Sequence, residues 1–155
     1  MTISRRHSLV TFAFVVALVL SGSSERPARA QAKDGVVLVV NARNPTQRLS
    51  KAEAAKLFLG QTAFWHGVVG VKIIVRPDDS AASKQFYGKV LDMTPQAFRS
   101  HWDKLQLSGR AVAPEVIGSI DEVARKVAAT PGGLAFALAS ETWIDLKGIK
   151  LIEVR

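Results

Sequence analysis

The sequence contains no cysteine among its 155 residues, and this absence removes several functional classes at once. Thiol catalysis, disulfide exchange and metal sites built from cysteine are all excluded. A protein without disulfides is held together by the packing of its core alone. The folded part must therefore be long enough to bury a substantial apolar core.

Histidine is also scarce, because only His66 and His101 lie beyond the first thirty residues. His101 and Asp103 are two positions apart, which places them on different sides of a helix, and no third metal ligand is evident. The sequence has no G-x-S-x-G turn and no glycine-rich phosphate loop with its lysine. We therefore expect no metal, no cofactor and no enzyme, and a hydrolase remains only a third hypothesis.

Runs of lysine or arginine are absent as well. The formal net charge is +8, and it falls to +5 without the first thirty residues, which contain four Arg and one Glu. This mild positive excess favours anionic partners in general. Because the charges are scattered along the chain, the sequence does not indicate nucleic-acid binding.

The chain has one long apolar run, Leu9–Leu20, and its 12 residues are too few to span a bilayer, which needs about 20. Arg5 and Arg6 precede the run, and Ala28-Arg29-Ala30 follows it. This order predicts a secretory signal peptide over residues 1–30, cleaved between Ala30 and Gln31, and a periplasmic or secreted single domain over residues 31–155. A membrane anchor is the alternative, and the two arginines also suggest twin-arginine export. Membrane contact is expected only through the signal peptide.

Strand and helix patterns alternate along the rest of the chain. Apolar runs typical of strands lie at Val36–Val40, Val71–Val75 and Leu134–Leu138, with a weaker edge strand at Ile149–Val154. Helix starts are indicated at Ser50–Glu53, Ser80, Thr94-Pro95 and Ser119–Glu122, and loops at Asn41–Gln47 and Ser108–Gly118. This alternation predicts an α/β fold, a three-layer sandwich with a mainly parallel central sheet.

The junction after the second strand carries the strongest functional signal. Arg76 follows the strand, Pro77 breaks it, and Ser80 offers a helix N-cap before Ala81, Ala82 and Ser83. The start of a helix has unpaired N–H donors and a partial positive charge, and an Arg fork grips carboxylate or phosphate with two bonds. Together these features predict a site for a small oxyanion. The alternative is an ordinary capped helix beside a surface arginine.

Two further residues are candidates for the same site, because each follows a predicted strand. We call the edge of the sheet at the carboxyl ends of its parallel strands the rim. In parallel α/β sheets, ligands lie beyond the carboxyl ends of the strands. Asn41 follows the first strand, and Ser140 follows the Leu134–Leu138 strand. We expect both to share the rim with Arg76 and Ser80.

Several segments together resemble a known family. These are, in order, NARNP, LSKAEAAKLFLG, a tryptophan, VRPDDSAASKQF and TPGGLAFALAS. They resemble the phosphate-binding proteins of ABC transporters, members of the type II periplasmic binding protein class, over Val36–Arg155. The most specific pieces are Phe58-Leu59-Gly60 followed by Trp65, and Arg76-x-Asp78-x-Ser80. The resemblance implies the fold of a single lobe of such a protein.

The resemblance also implies roles for the residues of the junction. Arg76 would grip the anion, Asp78 would orient its guanidinium, and Ser80 would donate a hydroxyl. Backbone N–H groups would come from Ala81 and Ala82, and Ser83 would offer a second hydroxyl. The sequence departs from the family at Asp79 and Ala81, where glycine is usual, and at Ala82, where threonine is usual. Ala135 and Phe136 also replace a glycine and a tyrosine.

The larger departure is length, because family members close two lobes on the ligand and this chain resembles only the second. The acidic residue that accepts the phosphate proton belongs to the other lobe. The leading hypothesis is an exported binding module for a small oxyanion, most readily phosphate, linked to ABC-type uptake or sensing and partnered by an ABC permease or another periplasmic protein. The alternative is an interaction or assembly module that kept the fold and lost the ligand.

Overall fold

The computed structural model of the chain describes residues 35–65, 69–141 and 147–155. The signal peptide predicted over residues 1–30, its cleavage before Gln31, and His66 lie outside the described residues. Within those three ranges, no helix is both long and apolar enough to cross a bilayer.

Helices and strands alternate over the described ranges. The strands are β1 (Val36–Asn41), β2 (Phe64–Trp65), β3 (Val69–Gly70), β4 (Lys72–Val75), β5 (Glu115–Val116), β6 (Gly133–Leu138) and β7 (Ile149–Glu153). The α-helices are α1 (Lys51–Phe58), α2 (Ala81–Phe86), α3 (Pro95–Leu107) and α4 (Ile120–Ala129), and a π-helical segment at Tyr87–Leu91 continues α2.

Five strands form the central sheet in the order β5-β4-β6-β1-β7. Strand β4 is parallel to β5 and β6, whereas β1 is antiparallel to both of its neighbours, β6 and β7. Four strands therefore run in one direction and β1 runs in the other. The predicted α/β fold with a mainly parallel sheet is confirmed, and β7 lies at an edge as predicted. Strands β2 and β3 form a separate antiparallel pair.

Side chains of β1 alternate between two cores. Leu38 and Val40 pack with the apolar faces of α1, α2 and α3, while Val37 and Val39 pack against α4. This division gives the predicted three layers, with the sheet in the middle. The larger core is rich in aromatic rings: Phe86 stacks on Phe136 with ring centroids 4.1 Å apart.

Two of the three predicted helix caps at serine and threonine positions outside the site are confirmed. Ser50 forms a reciprocal capping box with Glu53, which lowers the pKa of the Glu53 carboxyl through the bonds from Ser50. Thr94 accepts a bond from the Ala97 N–H ahead of α3. Ser119 precedes α4 but makes no side-chain cap bond, so the capping box predicted there is wrong. Helix α4 forms without it because its apolar face, which includes Val123, is buried against the sheet.

His101 and Trp102 of α3 have structural roles. Trp102 Nε1 donates to the Phe58 carbonyl at 3.1 Å, and His101 Nε2 lies 2.8 Å from the Leu59 carbonyl. Both carbonyls belong to the end of α1, where the last C=O groups of a helix have no partner within it. The two side chains therefore cap α1. Gly60, with a φ of 67°, then turns the chain away.

Candidate functional site

The loop between β4 and α2 is built around two serine hydroxyls. Ser80 has extended backbone angles, and its Oγ accepts the Ser83 N–H at 3.1 Å, as an N-cap residue does. The Ser80 hydroxyl donates to Ser83 Oγ at 3.0 Å, and the Ser83 hydroxyl donates in turn to the Arg76 carbonyl at 3.1 Å. This chain of bonds holds the residue that leaves the strand against the first turn of the helix.

The predicted role of Ser83 as an extra donor to an anion is not what the structure shows. Its side chain is fully buried, and its proton is used on the Arg76 carbonyl. Ser80 is half-buried, and its hydroxyl also donates within the loop, to Ser83 Oγ. The two hydroxyls therefore chiefly stabilise the backbone conformation of the loop.

Ala81 and Ala82 occupy the first two positions of α2, as predicted. The N–H groups at these positions have no carbonyl one turn earlier in the helix to bind. Ala81 is exposed, whereas the methyl group of Ala82 is buried in the larger core. These first two positions thus carry backbone N–H donors and no side chain longer than a methyl group. Asp79, one residue before the cap, is exposed.

The Arg76 side chain is largely buried, with 11% of its surface exposed, and it is paired. Its Nη1 lies 2.9 Å from Glu141 Oε1, and Glu141 Oε2 accepts the Leu138 N–H at 2.8 Å. Glu141 follows β6, the parallel neighbour of β4, so both residues lie at the same edge of the sheet. The Nε atom of Arg76 is buried and has no hydrogen-bond partner among the described residues.

The predicted partner of Arg76 was wrong. Asp78 forms its ion pair with Arg99 of α3, not with Arg76. The reason is the direction of the chain: Asp78 lies beyond the break at Pro77 and points toward α3, whereas the turn after β6 places Glu141 beside the guanidinium. Glu141 was missed because its role depends on which strands are neighbours. Ser140 was selected because ligands lie beyond the carboxyl ends of parallel strands. The same rule could have selected Glu141, because Glu141 is the next residue.

Asn41 does not share the rim, and that expectation was also wrong. Because β1 runs against the rest of the sheet, its carboxyl end lies at the opposite edge, where Val40 pairs with Leu134. The Asn41 side chain is buried, and its Nδ2 donates to the carbonyls of Val127 and Ala128 at 3.1 and 2.9 Å. Asn41 therefore caps the end of α4.

Ser140 lies at the predicted edge. It is exposed in the turn after β6, directly before Glu141. The described ranges contain no group of three or more His, Cys, Asp or Glu residues arranged to hold a metal ion. Arg76, Ser80, Ala81, Ala82 and Ser140 thus lie at the same end of the sheet, with Glu141 added to them and Asn41 removed.

The sequence matches no protein-family model and no curated protein. Solved structures do match. They include an ABC-type phosphate transport receptor from Vibrio cholerae, with a TM-score of 0.55 and 19% identity, and PstS from Borrelia burgdorferi, with a TM-score of 0.51 and 16% identity. A structure described as a phosphate ABC transporter substrate-binding protein with bound phosphate, from Clostridium perfringens, has a TM-score of 0.60 and 14% identity.

Each of the three alignments covers 78% of this chain but only 46%, 47% and 45% of the respective neighbours. The chain thus spans less than half of the length of the structures it matches, which fits a single lobe. One of these neighbours is described as a transport receptor and another as a substrate-binding protein. The described domain has the fold of one part of the substrate-binding proteins of phosphate ABC transporters, as the sequence resemblance implied.

Proposed function

We propose that the chain is a non-enzymatic module that binds a small oxyanion, with phosphate as the first candidate, and that Arg76 anchors the ligand. The observation that carries this proposal is the buried Nε of Arg76, which has no hydrogen-bond partner among the described residues. A buried donor without an acceptor costs about 1–3 kcal/mol. An anion that accepts from Nε removes this cost and adds a charge-assisted bond.

Glu141 sets the direction in which Arg76 can bind. A guanidinium has five donors in one plane, and Glu141 uses Nη1. On the side of the plane that carries Nε, this donor has no acceptor among the described residues. In this arrangement Glu141 does what the resemblance assigned to Asp78, namely to orient the fork. Its negative charge also offsets part of the attraction between Arg76 and an anion.

The first turn of α2 supplies the remaining donors of the proposed site. The N–H groups of Ala81 and Ala82 begin a helical segment that continues through the π-helical Tyr87–Leu91, so the partial positive charge of the helix start also favours an anion. Ser80, Ser83 and Ser140 contribute at most by reorienting a hydroxyl toward the ligand. A substrate-binding neighbour that holds phosphate supports the choice of anion.

The affinity of this site should be low. Three or four charge-assisted contacts at about 1.5–3 kcal/mol each give a gross gain of about 5–12 kcal/mol. Association opposes this gain by at least about 4 kcal/mol. The remainder is at most about 8 kcal/mol, which corresponds to micromolar binding at best. A partner that covers the open site would raise the affinity, and an ABC permease or another periplasmic protein is the partner proposed, after export and removal of residues 1–30.

Titration calorimetry of residues 31–155 with phosphate and with sulfate at low ionic strength tests the proposal. We expect saturable binding that Arg76→Ala abolishes and Arg76→Lys, which keeps the charge but loses the fork, weakens. Arg99→Ala is the matched control, because it removes an exposed cation bonded to Asp78 and should bind like the parent protein. No heat up to tens of millimolar, or an Arg76→Ala protein that titrates normally, would refute the proposal.

A second candidate function is an interaction or assembly module without a ligand. It is supported by the Glu141 partner of Arg76 and by two exposed apolar side chains at the edge of the sheet. These are Val112, which is 82% exposed, and Val116 of β5, which is 65% exposed. Light scattering and pull-down with the mature chain should then show a dimer or a specific protein partner. A monomer that captures no partner would count against this candidate.

A further inference from the structure

A groove with a volume of about 590 Å³ lies at the opposite end of β4 from the loop of Arg76. We call it the edge groove and define it by six of its lining residues, namely Leu57, Lys72, Ile73, Trp102, Arg110 and Lys126. Arg76, Ser80 and Glu141 are not among the residues that line it. The edge groove is therefore separate from the proposed oxyanion site.

The position of the edge groove follows from incomplete strand pairing. Strand β4 pairs with β6 at Lys72 and Ile73, but it pairs with β5 only at Ile74 and Val75. On the β5 side, the backbone of the first half of β4 has no neighbouring strand. The groove occupies this place, between β4 and the segment 110–113 that leads to β5. Backbone groups of a strand edge are available there as hydrogen-bond partners.

The two walls of the groove differ in polarity, because the groove crosses the edge of the sheet. Ile73 belongs to the core on the α1–α3 side, together with Leu57 and Trp102. Trp102 Nε1 is already bonded to the Phe58 carbonyl, so its indole ring offers the groove only apolar surface. The opposite wall lies on the α4 side and carries Lys72 and Lys126.

The charge of the edge groove is positive. Lys126 pairs with Glu115 at 2.9 Å, and Glu115 is the only acidic residue that lines the groove. Lys72 and Arg110 are exposed, and neither belongs to a salt bridge within the described part of the chain. Two cations thus remain uncompensated beside an apolar wall, and two threonines, Thr62 and Thr130, add hydroxyls to the lining.

We propose that the edge groove binds a small amphiphilic organic anion, a carboxylate carried on an aliphatic or aromatic body. The carboxylate would lie between Lys72 and Arg110, and the body would cover Trp102, Leu57 and Ile73. A volume of about 590 Å³ is typical of small-molecule sites, which are mostly apolar with a few polar groups that fix orientation. Inorganic phosphate lacks the apolar body and cannot use this wall. The inference therefore goes beyond the proposed function and does not depend on it.

Octanoate is the probe that we would use, with residues 31–155 of the chain and detection by calorimetry and by the tryptophan fluorescence. We expect saturable binding of octanoate and at least tenfold weaker binding of octan-1-ol and octylamine, which share the chain but lack the negative charge. The double variant Lys72→Glu/Arg110→Glu should lose at least tenfold in affinity. Lys84→Glu/Lys89→Glu is the matched control, since both lysines are exposed and lie outside the groove.

Arg76→Ala should leave octanoate binding unchanged, and phosphate should not compete with it, which separates this test from that of the oxyanion site. Circular dichroism of each charge-reversal variant confirms that the fold is retained, as expected for exposed positions. Equal binding of octan-1-ol and octanoate, unchanged binding in the double variant, or no binding of octanoate at millimolar concentrations would each overturn the proposal. Binding of an acidic peptide without binding of octanoate would also overturn it and would identify a peptide groove instead.

Discussion

Arg76 and Glu141 form a salt bridge of 2.9 Å that joins the loops following two neighbouring parallel strands, β4 and β6. Both side chains are mostly shielded from water, with 11% and 23% of their surfaces exposed. Glu141 is itself fixed by the Leu138 N–H. The direction of the guanidinium is therefore determined by a residue 65 positions away in the sequence.

Glu141→Gln should lower stability and raise anion affinity. The change leaves Arg76 without a charged partner in a shielded place, and we expect the free energy of unfolding in urea to fall by about 1–3 kcal/mol, less than for a fully buried pair. The amide oxygen can still accept from Arg76, but the amide NH2 then faces the Leu138 N–H in place of the oxygen that accepted it, which adds to the loss of stability. The repulsive charge near the anion disappears. Calorimetry should then show tighter phosphate binding than in the parent protein, and weaker binding would contradict this role of Glu141.

Asp78→Asn is the matched control for Glu141→Gln. It removes another acidic residue near the site, but the partner of Asp78 is Arg99, whose side chain is 57% exposed. Exposed ion pairs contribute about 0–1 kcal/mol, so the loss of stability should be small. A larger loss for Asp78→Asn than for Glu141→Gln would mean that Asp78, not Glu141, supports the loop.

The features of the site that depend on residues close together in the sequence could be predicted. The strand end at Val75, the cap at Ser80 and the helix start at Ala81 depend on neighbours within a few residues, and all three are where the pattern indicated. The partner of Arg76 depends instead on strand order. Asp78 was the nearer acid in sequence, but Glu141 is the nearer acid in space.

Asn41→Ala should destabilise the fold without affecting anion binding. The substitution leaves the Ala128 carbonyl at the end of α4 without its side-chain donor, and the Val127 carbonyl keeps only the Thr130 N–H. It also leaves the Arg43 N–H without the Asn41 Oδ1 that it binds at 3.0 Å. Unsatisfied buried groups of this kind cost about 1–3 kcal/mol, measurable by urea unfolding. Phosphate affinity in calorimetry should equal that of the parent protein. Weaker binding with unchanged stability would instead restore Asn41 to the rim.

The direction of β1 explains why the prediction from the sequence placed Asn41 at the wrong edge of the sheet. A continuous apolar run such as Val36–Val40 indicates a strand covered on both faces, and that prediction is confirmed. The same run contains no information on whether the neighbouring strands are parallel. Strand β1 lies between β6 and β7, which both come much later in the chain. Its orientation is therefore set by long-range pairing and not by its own residues. For the same reason the short strand β5 was predicted as loop.

Gly132→Ala should be severely destabilising. A Cβ atom at this position would lie 1.8 Å from the Gly70 carbonyl oxygen, which belongs to the backbone and cannot move independently. The Gly132 carbonyl also accepts the Lys72 N–H at 2.9 Å and Trp65 Nε1 at 3.3 Å, so displacement of the turn breaks bonds to two other segments. We expect a loss of more than about 3 kcal/mol in urea unfolding, or no folded protein.

Gly88→Ala provides the control for Gly132→Ala. A Cβ atom at Gly88 meets no other atom within 4 Å, and the residue lies inside the π-helical continuation of α2. Alanine restricts the unfolded chain more than glycine does, so the variant should gain about 0.5–1 kcal/mol. A similar loss in both variants would show that close approach of Gly132 to Gly70 is not the cause.

Tyr87 should make the stability of the protein fall at high pH. Burial raises the pKa of the Tyr87 hydroxyl from 10.0 to about 12. Between these values the unfolded chain releases the proton while the folded protein keeps it, so the contribution of Tyr87 is complete below pH 10 and is lost as the pH rises towards 12.

Since Tyr87 is the only tyrosine in the sequence, the near-ultraviolet absorbance of tyrosinate reports this group alone. In the folded protein that absorbance should rise near pH 12, and in urea it should rise near pH 10. Tyr87→Phe should remove this part of the pH dependence. A titration near pH 10 in the folded protein would mean that the hydroxyl is open to water and that Tyr87 is not enclosed by the aromatic core.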